Sequence, residues 1–325
     1  METFNQKIEF YKVRRFSDMF GDTFTFVRQN FKPLFKGLFC IASPALLLAM
    51  VAGFFFWQSY MSMITEMSAT VQTGLNPISG AGIGILGLLP MMLAIFVAST
   101  LILGVTFSYT KLYREDKERG ITISMLWQDT KKYFWKLIGT QMFLVAAAVV
   151  LVILFSLTIG FFISLAGISI GFGIIGIIFL FIAALICIIV FFGIKLSFYP
   201  LFIVVEDIGA IKSFSASYNF TKGVFWRTLG FMFVLGFLVG FAVYACILPG
   251  YILMFAGVIS GVAQFGNPEN LMLASSALIS VGMSMAYLFY AVIFIGQAIF
   301  YHSKIEEREG ILANLEIEEI GKREF

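Results

Sequence analysis

Six long apolar runs alternate along this chain with segments that hold all of its cations. The runs cover about 37–57, 83–108, 137–163, 171–194, 228–248 and 272–300, and none contains Asp, Glu, Lys, Arg or His. A bilayer core of about 30 Å needs on the order of 20 apolar residues per helix. The pattern therefore predicts six membrane-spanning helices. The 22 Lys and Arg residues fall in 1–36, 110–136, 195–227 and 301–325. The linkers at roughly 58–82, 164–169 and 250–270 have none. Short loops rich in Lys and Arg stay on the cytoplasmic side, so both termini are expected there.

A helical period precedes each outgoing span. Phe16, Phe20, Val27 and Phe31 share one face; so do Ile123, Leu126, Trp127 and Phe134; so do Ile211, Phe214, Tyr218 and Phe225. The opposite faces carry Asp18, Asp22 and Arg28, then Asp129, Lys131 and Lys132, then Ser213, Ser217 and Lys222. Helices of this kind lie in the interface plane with the apolar face toward lipid. The order of amphipathic helix, outward span, linker, inward span and acidic-plus-Gly junction recurs three times. The second and third copies align without gaps from Lys131-Lys132-Tyr133-Phe134-Trp135-Lys136 onto Lys222-Gly223-Val224-Phe225-Trp226-Arg227. The first is looser, at Arg28-Gln29-Asn30-Phe31-Lys32-Pro33. The returning ends correspond at Glu118-Arg119-Gly120-Ile121, Glu206-Asp207-Ile208-Gly209 and Glu307-Arg308-Glu309-Gly310-Ile311.

The expected fold is a single all-α integral membrane domain, 1–325, of six transmembrane helices. It is built as three parallel hairpin repeats at about 16–120, 121–209 and 210–310, each preceded by a cytoplasmic amphipathic interfacial helix, with an acidic C-terminal tail at 311–325. Leu312, Leu315 and Ile320 of that tail read as one side of a short helix. Repeats that all run outward and back are related by an axis along the membrane normal. The pattern leaves open whether they enclose a cavity.

Composition agrees with this reading: the chain is 60% hydrophobic and 13% charged, outside the range of soluble domains. Its 30 Gly residues suit close helix packing in lipid. The formal charge of +3 comes from basic segments flanking spans, which fits anionic inner-leaflet lipid rather than nucleic acid. Cys40, Cys187 and Cys246 lie in or beside apolar runs, so no disulfide framework is expected. The first run starts too far from the N-terminus for a signal peptide and reads as a retained anchor.

Little in the chain points to catalysis. Gly82-Ile83-Gly84-Ile85-Leu86-Gly87 and Gly171-Phe172-Gly173-Ile174-Ile175-Gly176 fit the dinucleotide-binding spacing but lie among apolar residues. That fingerprint requires a preceding strand, so they read as packing glycines. Gly167/Gly171, Gly236/Gly240 and Gly257/Gly261 have helix-contact spacing. Ser276, Ser280 and Ser284 form a row at every fourth residue, with Gln297 further along; together they are a candidate polar seam. A Ser nucleophile needs a base within hydrogen-bond reach, and the lone His302 lies about five turns from Ser284 on a continuous helix. No metal-ligand motif, proton-relay carboxylate within a span, or phosphate loop occurs, so no cofactor is expected. The candidate contacts with lipid or a protein partner are Lys131, Lys132, Trp135, Lys136, Lys222, Trp226 and Arg227. The acidic clusters at 115–119, 206–207 and 306–309 are expected to pair with the basic collars.

The junction into the third copy carries a resemblance. Tyr199-Pro200-Leu201-Phe202-Ile203-Val204-Val205-Glu206-Asp207 is followed by Ser217-Tyr218-Asn219-Phe220-Thr221-Lys222-Gly223. Span 6 ends Ile299-Phe300-Tyr301 and runs to Glu307-Arg308-Glu309-Gly310. These stretches resemble a bacterial multi-span membrane family related to the membrane domain fused to some glycerophosphodiester phosphodiesterases and to YciC-like inner-membrane proteins. The resemblance implies a bacterial cytoplasmic-membrane protein. It brings no catalytic residues, and the chain has no room for the soluble phosphodiesterase domain. The expected function is a non-enzymatic membrane scaffold or accessory subunit acting through its cytoplasmic face. The alternative is a small transporter or lipid-handling protein with a path between the repeats.

Overall fold

The computed structural model describes residues 8–73, 81–115, 120–166, 172–262 and 267–310. Among these residues all regular structure is helical. The elements are α1 Phe16–Gln29, α2 Phe31–Thr73, α3 Ala81–Glu115, α4 Ile123–Ala166, α5 Phe172–Leu196 and α6 Tyr199–Val204, followed by α7 Ala210–Phe220, α8 Phe225–Val262, α9 Pro268–Ala286 and α10 Tyr290–Glu309. A 3₁₀ turn, Tyr287–Phe289, joins α9 to α10. Six stretches are long and apolar enough to cross a membrane: Phe31–Met63, Gly87–Glu115, Ile123–Phe161, Phe179–Val204, Phe225–Ser260 and Glu269–Glu309.

The helices overrun the expected linkers. Between Gln58 and Thr73 the chain has no Gly or Pro, so nothing breaks α2 before Gly74. The three collars also differ from one another. In the first copy a single residue, Asn30, separates α1 from α2. In the third, α7 and α8 are parted by a turn in which Gly223 takes φ +90°. In the second, the collar and the span are one helix, α4, which corrects the expectation of a separate interfacial helix there. The cause is local: Lys132 stands where the third copy has Gly223, and no Gly, Pro or Asn interrupts Ile123–Ile138. The junctions share a backbone device instead. Gly120, Asp207 and Gly310 all adopt left-handed conformations, at φ 68°, 49° and 58°, and each precedes an Ile.

The chain forms two compact units, residues 1–132 with 232–325 and residues 133–231. In the first, α2 packs along α3 and α9, and α1 and α3 pack on α10. The α2 surface in this core is a row of small or medium side chains, Leu38, Ala42, Ala45, Ala49 and Ala52. Small residues let helix backbones approach in lipid, where dispersion rather than the hydrophobic effect holds helices together. A Cβ on Gly87 would lie 3.1 Å from the Phe56 backbone, and one on Gly282 only 2.4 Å from the Cys246 carbonyl. Gly257 likewise abuts Met272, whereas Gly236 and Gly240 face open space. Gly167 and Gly171 lie outside the described residues, as do the tail positions Leu312, Leu315 and Ile320.

In the second unit, α5 ends where Ser217 of α7 reaches it. The Ser217 hydroxyl donates to the Lys195 carbonyl at 2.9 Å and accepts from the Phe198 N–H at 3.2 Å. The short helix α6 is wholly buried against α7, and Phe198 meets Phe220 edge-on at 4.9 Å. The polar side of α7 packs inward, and its apolar side points outward, the side expected to face lipid. Ser213 and Ser217 are fully buried, while Ile211 is 86% exposed. The hydroxyls face inward because an interrupted helix end leaves backbone groups that need partners. By contrast, no residue in the most apolar stretch of α4 is buried. Met142, Phe143, Val149, Ile153 and Leu157 are all exposed there.

Candidate functional site

The cationic helix ends carry the described polar chemistry of the first unit. Residues Ile8–Arg15 cross the ends of α3 and α10, pinned by Arg14, which is 5% exposed. Its Nε binds Asp22 Oδ2 at 2.6 Å, and its Nη1 donates to the carbonyls of Phe10 and Lys12 at 2.9 and 3.1 Å. A further bond runs from Nη2 to the Glu9 carbonyl. The Arg14 backbone N–H donates to Ser303 Oγ of α10 at 3.0 Å, and the Ile8 N–H to the Tyr113 hydroxyl of α3 at 3.2 Å. Beneath lie Phe10, Phe26, Tyr109, Tyr113 and His302 in edge-on and stacked ring contacts. A buried charge is stable only when its donors are matched, and here the guanidinium is satisfied by one carboxylate and three carbonyls.

The charge pattern gives Arg14 and Arg114 a topological role alone and gives Tyr109 and Tyr113 none. One usable signal is present: Tyr109 and Tyr113 lie one turn apart at the end of an otherwise apolar helix, where buried hydroxyls require partners. Tyr109 finds one in Asn30, donating to its Oδ1 at 3.0 Å. Asn30 Nδ2 in turn donates to the Phe26 carbonyl at 3.0 Å.

The collar residues lie outward. Lys131 and Lys132 are exposed on α4, and Trp135 is 75% exposed. Lys136 pairs with Asp207 at 3.1 Å and sits over the Tyr133 ring. Lys222 is exposed in the turn before α8; Arg227 is exposed in the first turn of that helix and Trp226 is 78% exposed. Leu126, Thr130, Tyr133 and Leu137 form the packed side of the second collar. In the first, the packed side is Met19, Thr23 and Phe26, while the expected face stays outward at Phe16 and Phe31. Counting seven residues back from the aligned Phe31, Phe134 and Phe225 reaches Phe24, Trp127 and Tyr218. They are 42%, 46% and 42% exposed. Two acidic residues meet basic ones here: Asp207 meets Lys136, and Asp129 meets Lys111 of α3 at 3.1 Å. Lys195 lies 4.7 Å above the Tyr218 ring and 5.8 Å from the Phe191 and Phe225 rings.

Ser276, Ser280 and Ser284 share one buried face of α9. Each hydroxyl donates 2.9 Å to a carbonyl of its own helix, at Met272, Ala277 and Ser280 respectively. Ser280 abuts Gly53 of α2. Gln297 lies beyond the 3₁₀ turn on α10, with Nε2 3.7 Å from Met232 Sδ and Oε1 buried without a hydrogen-bond partner among the described residues. Ser276 also lines a cavity of about 420 Å³ with Gln58, Ser62, Glu269 and Asn270.

The fold and these helix ends define an all-α protein with six helices built to cross a membrane. The chain belongs to the family described as Domain of unknown function (DUF7847), whose model matches residues 120–303. No curated protein and no solved structure matches the chain.

Proposed function

We propose that this chain is a non-enzymatic membrane scaffold or accessory subunit of the bacterial cytoplasmic membrane, with both termini and the three collars on the cytoplasmic side. The observation that carries the reading is the repeated exposure of large apolar rings beside cations: Phe24, Trp127 and Tyr218 at equivalent positions, then Trp135 and Trp226. Rings of this kind are covered either by headgroups, where Trp and Tyr are favoured, or by a partner, where Trp and Arg dominate binding energy. Membrane lipid covers the apolar row. The outward cations Lys131 and Lys132 of the first unit, and Lys222 with Trp135 and Trp226 of the second, are each partner-docking residues on their own unit. The resemblance of the 199–223 and 299–310 stretches to bacterial inner-membrane proteins supports the location.

The test is gentle extraction from the native membrane followed by native mass spectrometry. The expected result is a stoichiometric protein partner that is lost on reversing charge at Lys131, Lys132 and Lys222. Undiminished recovery of that partner from the triple variant would count against the docking residues.

A second reading, lipid handling or transport, is favoured by the cavity at the end of the serine row. Replacing Ser62 with Phe fills that cavity and should abolish flux of its solute or lipid in reconstituted vesicles. Replacing Ser280 would be a poorer probe, since it abuts Gly53 and would disturb helix packing instead.

A further inference from the structure

One cation of the second unit is buried and has no acid beside it. Lys195, at the end of α5, is 7% exposed. Its Nζ makes no hydrogen bond or ion pair among the described residues, and Asp207 of the following junction is taken by Lys136. What surrounds the ammonium is aromatic. The Tyr218 ring of α7 lies 4.7 Å from Nζ, and the Phe191 ring of α5 and the Phe225 ring of α8 lie 5.8 Å away. Three helices therefore build this cage. Ser217 fixes it, since its hydroxyl donates to the carbonyl of Lys195 itself at 2.9 Å, and the Phe191 and Phe225 rings meet at 5.4 Å.

Ring faces attract a cation without cancelling its charge. A buried ammonium is stable only when an anion or enough acceptors match it, so the cage lacks one component, a counter-anion. The ammonium is not fully enclosed, which leaves that component a way in. Position selects its source. Residues 171–194 contain no charged side chain, and Lys195 is the first cation after them. Beside the cage, Trp226 adjoins the Phe225 ring and is 78% exposed, and Trp is favoured at headgroup depth. The span that leads to Lys195 is bare. Only 6% of the most apolar stretch within Phe179–Val204 is buried, and Phe192 is 50% exposed. An anion that reaches Lys195 from this side brings apolar chains with it.

The geometry points to a site for one anionic phospholipid, its phosphate bound by Lys195 within the cage of Phe191, Tyr218 and Phe225 and its acyl chains lying along α5. This goes beyond the docking residues proposed above and fails separately from them, because it uses none of Lys131, Lys132 and Lys222.

The test uses the full chain in nanodiscs of phosphatidylcholine and phosphatidylglycerol in equal amounts, with lipid retention read by native mass spectrometry on release. Wild type should retain one phosphatidylglycerol in preference to phosphatidylcholine. Absence of that preference would overturn the site without recourse to any variant. Lys195→Met keeps the apolar stem and should bind the lipid about fivefold more weakly, the loss of one cation near a membrane surface. Lys195→Arg keeps the charge and stacks on aromatic faces, so it should restore retention. Lys212→Gln removes an exposed cation of α7 and should match wild type. An unchanged unfolding midpoint certifies each fold. Equal retention by Lys195→Met would overturn the site. So would an equal loss in Lys212→Gln, which would mean diffuse surface charge. Displacement of the lipid by millimolar inorganic phosphate would also overturn it, since the cage would then select a bare anion.

Discussion

Arg114 at the end of α3 lies 3.1 Å from Nε2 of His302 on α10. The other ring nitrogen, Nδ1, lies 2.7 Å from the Ala298 carbonyl. A carbonyl only accepts and a guanidinium only donates, so Nδ1 carries the proton and Nε2 accepts from Arg114. The same Nη1 donates to the Tyr11 hydroxyl at 3.0 Å. One imidazole thus joins two helices and the N-terminal segment. With His302 held in this network, the lone histidine is accounted for by structure.

Arg114→Leu and His302→Phe should each cost about 1–3 kcal/mol, since each leaves a buried polar partner unmatched. Their effects should not add. The double variant should fall short of the sum by at least about 0.5 kcal/mol, measured as unfolding free energy in detergent. Strict additivity would show that the two side chains do not interact.

Arg14 should control whether the N-terminal segment stays docked. Arg14→Met keeps the apolar stem but leaves Asp22 and three carbonyls without their donor. Asp22 is one-third exposed, so the cost is set below that of a fully buried pair, at about 2 kcal/mol. Amide exchange at residues 8–15 should accelerate in Arg14→Met while exchange in α3 is unchanged. Equal protection in the variant and the parent would show that ring packing, not Arg14, holds the segment.

Much of this architecture is readable from the chain, because apolar length and the absence of charge decide where helices run through lipid. The positions of the six spans and the pairing of Asp207 with a collar lysine both follow from local chemistry. What periodicity left open was the polar side. An amphipathic pattern can direct its apolar side toward lipid, but it does not tell whether the polar side meets water or packs on the protein. Ser217 and Thr23 pack inward, whereas Ile211 and Phe16 point outward. The Arg14 network was invisible for a different reason: its contacts join residues some 290 positions apart, and its cations double as topology signals.

Glycines within the spans should differ sharply in their sensitivity. Gly282→Ala places a methyl 2.4 Å from the Cys246 carbonyl, a backbone atom that cannot rotate away. The helices must separate, at a cost of about 1–3 kcal/mol or more. Gly236→Ala meets open space and should be neutral or stabilising by about 0.5–1 kcal/mol, since Ala favours a helix interior. Unfolding midpoints of the two variants in the same detergent decide the matter. A tolerant Gly282 would mean that α8 and α9 do not cross this closely.

The outward apolar side of α7 gives the last prediction. Ser217→Ala removes the hydroxyl that satisfies both the Lys195 carbonyl and the Phe198 N–H at the end of α5. Both groups are then left buried without a partner, and stability should fall by about 2 kcal/mol. Ile211→Ser changes a side chain that is 86% exposed and should leave the midpoint in detergent unchanged. In liposomes the ranking should alter. If Ile211 rests on lipid, Ile211→Ser removes apolar area from the headgroup boundary, and exchange across α7 should rise there but not in detergent. Unchanged exchange in both media would place Ile211 in water and assign α7 a structural role as the cap of α5 alone.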